Sequence, residues 1–285
     1  MSTIAVDVPK VNDGVRPPSQ HPGLKRVGRI LSLLLIGFLS TFLLWWAFVH
    51  TVDIDDLVKK SPSQVWTYLF SAPKAAANRK ALFSALETTL GNVFIGYLIG
   101  LITSVVVSSL FVLSPTIRRT FMPFALLLRS VPLIALTPLI GLVFGYTLTS
   151  VRVVTALVTF FPSLVNISLG LESAPKQSID LVAAYGGTTR TALLKVRLPY
   201  AVPPLFAAMR IAVPGAMVGA LLGEWLLTKQ GIGSYLSERP ARFDYTGVWA
   251  AVAVVTSVAL VLYALVGIIE TPILARFNPE RLNED

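Results

Sequence analysis

Six apolar stretches, each long enough to cross a hydrocarbon core, constrain this chain more than any other feature of its sequence. A crossing helix needs about 20 largely apolar residues. Ile30–His50, Thr88–Leu113 and Gly247–Ile269 reach that length without one Asp, Glu, Lys or Arg. Phe121–Leu142 contains Arg129, Ser150–Leu171 has Arg152 near one end, and Leu205–Leu227 contains Arg210 and Glu224. The expected fold class is all-α: a polytopic membrane protein with about six transmembrane helices. Composition agrees, because only 14% of the 285 residues are charged and mean hydropathy is +0.71, whereas soluble domains carry roughly 25% charged residues.

The basic residues orient the spans. Lys25, Arg26 and Arg29 stand directly before the first stretch, where such a cluster favours the cytoplasmic side. With the amino terminus inside, the short loop at 114–120 (Arg118, Arg119), the loop at 172–204 (Lys176, Arg190, Lys195, Arg197) and the tail all face the cytoplasm. Both termini are then cytoplasmic in a bacterial inner membrane. The segment 51–87 works against this bias with Lys59, Lys60, Lys74, Arg79 and Lys80. The net charge of +9 has its plainer cause in such loops. The lipid bilayer, and not nucleic acid, is the expected partner of this charge.

The chain divides accordingly. Residues 1–29, with Pro17, Pro18 and Pro22, read as a flexible cytoplasmic arm. Residues 30–50 form the first span, which is longer than a signal-peptide core and is expected to be retained. Residues 51–87 are an external segment with amphipathic helix around Val65, Tyr68 and Leu69 and around Leu82, Ala85 and Leu86. Residues 88–270 form the core, and 271–285 a cytoplasmic tail.

Within the spans, Gly96 and Gly100 have the spacing that lets two helices approach closely. Pro123, Pro132, Pro138, Pro162 and Pro214 each remove a helical hydrogen bond, and broken helices suit a transporter. Charges at such depth are functional suspects. Arg210 and Arg152 can snorkel to headgroups. Arg129 lies about 12 Å in from Phe121 at helical rise. A translocation cavity and a contact to backbone carbonyls are both open readings of it. Glu224, roughly 28 Å from the start of its stretch, is expected at the external mouth. With no cysteine and only His21 and His50, a thiolate or histidine metal centre is not expected.

The loop 172–204 carries the most information. Ile179–Tyr185 reads as a short amphipathic helix broken by Gly186 and Gly187. Thr188–Leu198 reads as a second helix with a threonine cap, stopped by Pro199. A short helix on a glycine hinge between two spans is suited to receive force from a cytoplasmic partner.

Asp180, Gly186 and the pair Leu198-Pro199 reproduce the spacing of the EAA loop, so the segment resembles that of binding-protein-dependent ABC importer permeases. Asp stands for the usual Glu, and Leu181-Val182 occupy the place of paired alanines, with Ala183-Ala184 following. Leu128-Arg129-Ser130-Val131-Pro132-Leu133, Thr137-Pro138-Leu139, Phe144-Gly145, Gly223-Glu224-Trp225-Leu226 and Gly231-Ile232-Gly233 are similar to features of the nitrate, sulfonate and taurine permease group. The resemblance covers roughly residues 88–270. It implies that Asp180, Leu181, Val182, Ala183, Ala184, Gly186, Gly187, Leu198 and Pro199 form a coupling helix and its hinge between spans 4 and 5. It also makes Arg129, Ser130, Pro132 and Glu224 candidates for the translocation pathway.

The same resemblance implies a second permease subunit, expected to be another copy of this chain. Two cytoplasmic ATPase subunits and an extracytoplasmic binding protein complete the assembly. No cofactor is expected on this chain; ATP and Mg belong to the ATPase, since no Gly-x-x-x-x-Gly-Lys-Ser/Thr loop occurs here. The chain is then a non-catalytic permease for a small solute, foremost an oxyanion such as a sulfonate, taurine or nitrate. A pyrimidine-type vitamin precursor is the alternative. An ion-coupled secondary transporter would need embedded carboxylates, and Glu224 is the only acidic residue within the expected spans. A membrane enzyme finds no convergent acidic cluster to build on.

Overall fold

Residues 22–53 and 55–277 are described by a computed structural model, and all regular structure among them is helical. The first helix, α1 (Pro22–Thr51), starts ahead of the expected Ile30; the rest of the arm, 1–21, lies outside the described residues. A short α2 (Pro62–Trp66) follows, opened by a capping box in which Ser61 Oγ accepts from Gln64 N–H and the Gln64 side chain accepts from Ser61 N–H. It runs into a π-helical turn, Thr67–Ser71. Helix α3 (Ala75–Leu113) is one 39-residue rod, ~58 Å long at helical rise. The expected amphipathic patch at Leu82 and Leu86 is therefore an extension of the second span, and both residues are buried.

The third stretch does not cross as one helix. Helix α4 (Pro115–Ser130), capped by Ser114, begins inside the expected 114–120 loop and gives way to α5 (Leu133–Phe144) after a 107° bend. The cause is local. Val131 precedes Pro132, whose ring disfavours helical backbone at the residue before it, and Val131 is extended at φ −72°, ψ 128°. By contrast, Pro123, Pro138, Pro162 and Pro214 all sit inside unbroken helices.

Helix α6 (Leu148–Glu172) leads to α7 (Lys176–Ala184) and then α8 (Thr189–Ala192). Pro199 was expected to stop this segment, and it does not. A π-helical turn at Leu193–Arg197, with Leu198 N–H donating to Leu193 C=O, carries the chain directly into α9 (Leu198–Leu227). The wider turn absorbs the donor that proline lacks. Thr189–Leu227 is thereby one 39-residue span. Helix α10 (Gly231–Glu238), a 3₁₀ turn at Pro240–Arg242 and α11 (Tyr245–Phe277) complete the described chain. Helix α11 extends past the expected span into 271–277; residues 278–285 lie outside the described residues. Five helices are long and apolar enough to span, or six counting the bent α4–α5 pair as one.

Helices α3, α6 and α9 form the packed centre. A Cβ on Gly96 would meet Arg152 C=O at 2.8 Å, and one on Gly100 would meet Ala156 C=O at 2.6 Å. The two glycines are thus the contact through which α6 approaches α3. Hydroxyls bridge the same seam, with Ser168 donating to Ser108 at 3.1 Å and Ser108 to Leu164 C=O at 3.3 Å. One apolar cluster around Leu82, Leu86, Met217, Ile232 and Ala250 closes the α10 end. Another, around Ile167, Leu171, Leu193 and Ala208, closes the α7 end.

Candidate coupling loop and translocation residues

At the α7 end, the coupling candidates stand clear of the bundle. Helix α7 has no buried residue, and its main neighbour within the chain is α8. Asp180, Leu181, Ala183 and Ala184 are exposed, and Val182 is half-buried. Leu181 is 58% exposed and Tyr185 84%, an apolar edge presented outward and left uncovered by the described residues. The loop is built to hold this shape. Gly186 N–H donates to Ala183 C=O and Gly187 N–H to Val182 C=O, at 2.9 and 2.8 Å. Gly186 has φ +75°, a conformation natural to glycine. A Cβ on Gly187 would meet Val182 C=O at 2.8 Å, so a side chain there has no room.

The base of the loop is tethered at two points. Arg197 Nη1 donates to Leu171 C=O at 2.9 Å, and Arg118 pairs with Glu172, with Nη2 to Oε2 at 2.9 Å. Leu198 and Pro199 are half-buried and begin α9 instead of ending α8. From α8 onward the chain is therefore continuously helical into α9, and only the Gly186–Gly187 turn separates α7 from it.

The pathway candidates separate. Arg129, Ser130 and Pro132 flank the α4–α5 bend and all three are exposed. Ser130 Oγ donates to Leu126 C=O. Arg129, at the end of α4, makes no hydrogen bond or ion pair among the described residues, so the backbone-carbonyl reading has no contact behind it within one chain. Arg210, expected to snorkel, is instead ion-paired with Glu270 of α11 at 2.7 Å. Glu270, placed by sequence just beyond the last span, is buried and is a second membrane-level carboxylate. Arg152 Nε reaches Asn92 Oδ1 at 3.3 Å instead of the bilayer surface.

Glu224 is fully buried and does not line an open surface of the protomer. Its Oε2 accepts from Thr89 Oγ1 at 2.8 Å and from Gly233 N–H at 3.1 Å, and its Oε1 from Asn92 Nδ2 at 3.0 Å. Ile232 N–H donates to Thr89 Oγ1 at 2.8 Å. The carboxylate thus faces the first turn of α10, where helix donors favour negative charge, and joins α3, α9 and α10. Ser234 Oγ lies 2.8 Å from both Glu224 C=O and Thr228 C=O and ties the same turn. Sequence reading found Gly223-Glu224 and Gly231-Ile232-Gly233 as separate signals. It missed Thr89 and Asn92, whose only local mark is a pair of polar residues three apart in an apolar run.

Beside this knot, Tyr68 donates to Asp244 Oδ2 at 2.9 Å and Arg239 pairs with the same atom at 2.7 Å. Burial, with the Tyr235 and Asp244 hydrogen bonds adding to it, pushes the Tyr68 hydroxyl well above the usual tyrosine range, so it remains a donor. No group of three His, Cys, Asp or Glu side chains able to hold a metal occurs among the described residues.

Residues 96–274 match the family described as the binding-protein-dependent transport system inner membrane component. The chain belongs to this family. The permease is 30% identical to a probable ABC transporter permease protein of Haemophilus influenzae over 81% of this chain and 91% of that one. It is 32% identical to the formylaminopyrimidine transport permease protein of Halalkalibacterium halodurans over 67% of this chain and 77% of that protein. To the taurine transport system permease protein of Escherichia coli it is 26% identical over 80% and 84%. It is thus an ABC transporter permease, a multi-pass membrane component.

Proposed function

We propose that this permease forms the translocation pathway of an ATP-driven importer, as one of two copies, with two cytoplasmic ATPase subunits at the α7 end and an extracytoplasmic binding protein at the α10 end. The observation that carries this reading is α7 itself: a helix with no buried residue, an exposed Leu181–Tyr185 edge and a rigid two-glycine turn. Such a surface needs an outside partner, and the ATPase is the one its EAA-type spacing implies. ATP and Mg reside on that subunit. Asp180 supplies the charge of the docking face, Leu181, Val182, Ala183 and Ala184 its packing, and Gly186 and Gly187 its angle. Movement of α7 passes through Leu198-Pro199 into α9, biasing the bundle between two access states. On this reading the α7 end and both termini are cytoplasmic, in a bacterial inner membrane.

The solute is small. A pyrimidine-type vitamin precursor is favoured by relatives: the formylaminopyrimidine permease at 32% identity over 192 residues, against 25–30% for the nitrate, sulfonate and taurine permeases, the 30% sulfonate match covering 141 residues. A second reading, an oxyanion, is favoured by Arg129, a cation beside the bend that no acidic group among the described residues pairs with. Two copies facing across their bends would bring Arg129, Ser130 and Pro132 to a shared path, while Glu224 acts by holding α10 on the bundle.

Reconstitution with the candidate ATPase and binding protein in liposomes tests this. Wild type is expected to couple ATP hydrolysis to uptake from a panel of pyrimidines, sulfonates, taurine and nitrate. Asp180→Lys and Gly186→Pro are expected to uncouple it. Uptake that proceeds without ATPase and follows an ion gradient would replace the proposal with a secondary transporter.

A further inference from the structure

The segment between α1 and α3 carries a surface that transport through the bundle does not use. From α1, Trp45 stacks on Trp249 of α11, with centroids 5.5 Å apart and planes within 4°. Both indoles donate to the connecting segment: Trp45 Nε1 to Lys60 C=O at 3.0 Å and Trp249 Nε1 to Val58 C=O at 2.9 Å. Trp45 lies six residues before the end of α1 at Thr51, roughly 9 Å back along the helix. The chain at 58–60 is therefore drawn back to the level of two span tryptophans, and tryptophans of this kind mark the membrane–water interface. Helix α2 begins directly after it, at Pro62.

From that depth, α2 and its π-turn present two apolar faces. Val65 and Leu69 are buried in the cluster at the α10 end. On the adjacent side, roughly 100° around the helix, Trp66 is 63% exposed and Phe70 51%, and their rings are tilted against each other by 38° with centroids 4.4 Å apart. A helix standing in water on a bundle has one apolar face; a second one calls for a second apolar medium. The polar residues Gln64 and Thr67 flank the Trp66–Phe70 edge. Arg79 stands over the Phe70 ring at 5.8 Å and donates to Leu69 C=O, while Lys74 and Lys80 are exposed nearby. Aromatic rings with flanking cations match the acyl–headgroup boundary, where rings enter the apolar layer and cations meet phosphates.

We propose that Pro62–Ser71 is an interfacial helix, seated in the membrane at the α10 end with Trp66 and Phe70 in the lipid boundary and Thr67 toward water. It anchors the start of α3 to the bilayer surface, giving the long α3 rod a fixed reference while other helices move. Depth decides between this and a protein-docking edge, because a partner in the aqueous space cannot cover rings already in lipid.

The chain has no cysteine, so single labels can be placed on the whole permease in nanodiscs. Nitroxides at Trp66→Cys, Phe70→Cys and Thr67→Cys would be read by relaxation with oxygen, which partitions into lipid, and with a water-soluble nickel chelate. Melting temperatures close to wild type would establish that each variant is folded. The expected result is several-fold greater relaxation by oxygen than by nickel at positions 66 and 70, and the reverse at 67. Equal nickel access at all three positions would overturn the proposal. So would protection at 66 and 70 that arises only on adding the binding protein, which would make the edge a protein-docking site.

Discussion

The two ends of this permease solve opposite problems. At the α10 end the chain closes on itself: Glu224 is fully buried and accepts hydrogen bonds from Thr89, Asn92 and Gly233, drawn from α3 and α10. At the α7 end the chain leaves a helix with no buried residue, its Leu181–Tyr185 edge exposed. Both ends use glycine, for different reasons. A Cβ on Gly233 would lie 2.8 Å from the Glu224 Cβ and the Trp225 nitrogen, so glycine permits close packing there. At Gly186, where a Cβ would meet nothing, glycine supplies the φ of +75°. The difference teaches that glycine and polar residues in one chain can serve internal cohesion at one end and, on the proposed function, an external partner at the other.

The strongest way to break this contrast is Glu224→Ala. It orphans three buried donors at ~1–3 kcal/mol each, and the purified permease is expected to lose its cooperative melting transition in detergent. Glu224→Gln keeps the shape and is expected to melt between the two. A Glu224→Ala variant as stable as wild type would return this residue to the pathway.

Removing one partner of the Arg210–Glu270 pair should be nearly as damaging. Arg210→Met leaves a buried carboxylate, at about 3–5 kcal/mol, whereas Arg210→Met with Glu270→Leu should recover much of that loss. Thermal melts of the single and double variants measure the difference, and equal destabilisation would mean that the charges do not compensate each other.

At the open end the expectation reverses. Asp180→Lys should change the melting of the isolated permease by no more than ~0.5 kcal/mol, as at an ordinary surface site. Coupled uptake with the ATPase should fall roughly 5–150-fold, the range of ordinary coupling free energies. A stability loss without a coupling loss would place Asp180 in the fold and erase the contrast between the ends.

The smallest effect is expected at Arg129→Ala, which leaves the fold unchanged because the side chain is exposed and has no hydrogen-bond or ion-pair partner among the described residues. Competition uptake sharpens the assignment: selective loss for anionic solutes supports the oxyanion reading, and no change for any solute removes Arg129 from the path.

Much of this architecture was legible in local residues. The charge-free run Thr88–Leu113 and the tight pair Gly96 and Gly100 announced a central span, and the Gly186–Gly187 break placed the end of α7. Local rules held at one proline and failed at another. Pro132 bends the third stretch by 107°, while Pro199, expected to end a helix, is carried through by a π-turn from Leu193. Proline fixes its own φ and restricts its predecessor, but whether a neighbouring turn can widen to compensate depends on what packs around it.

The sequence by itself determined that this chain is a helical membrane protein, where its apolar runs lie, and that the loop with Asp180, Gly186 and Leu198-Pro199 follows EAA-type spacing. Those properties rest on length, hydropathy and fixed spacing, which act within a few turns of chain. Only the tertiary structure decided that Glu224 belongs to a knot with residues more than 130 positions away and that Arg210 meets Glu270. A buried charge is satisfied by whichever helix the packing brings to it, and α3, α9 and α11 meet through shape complementarity that no single stretch encodes.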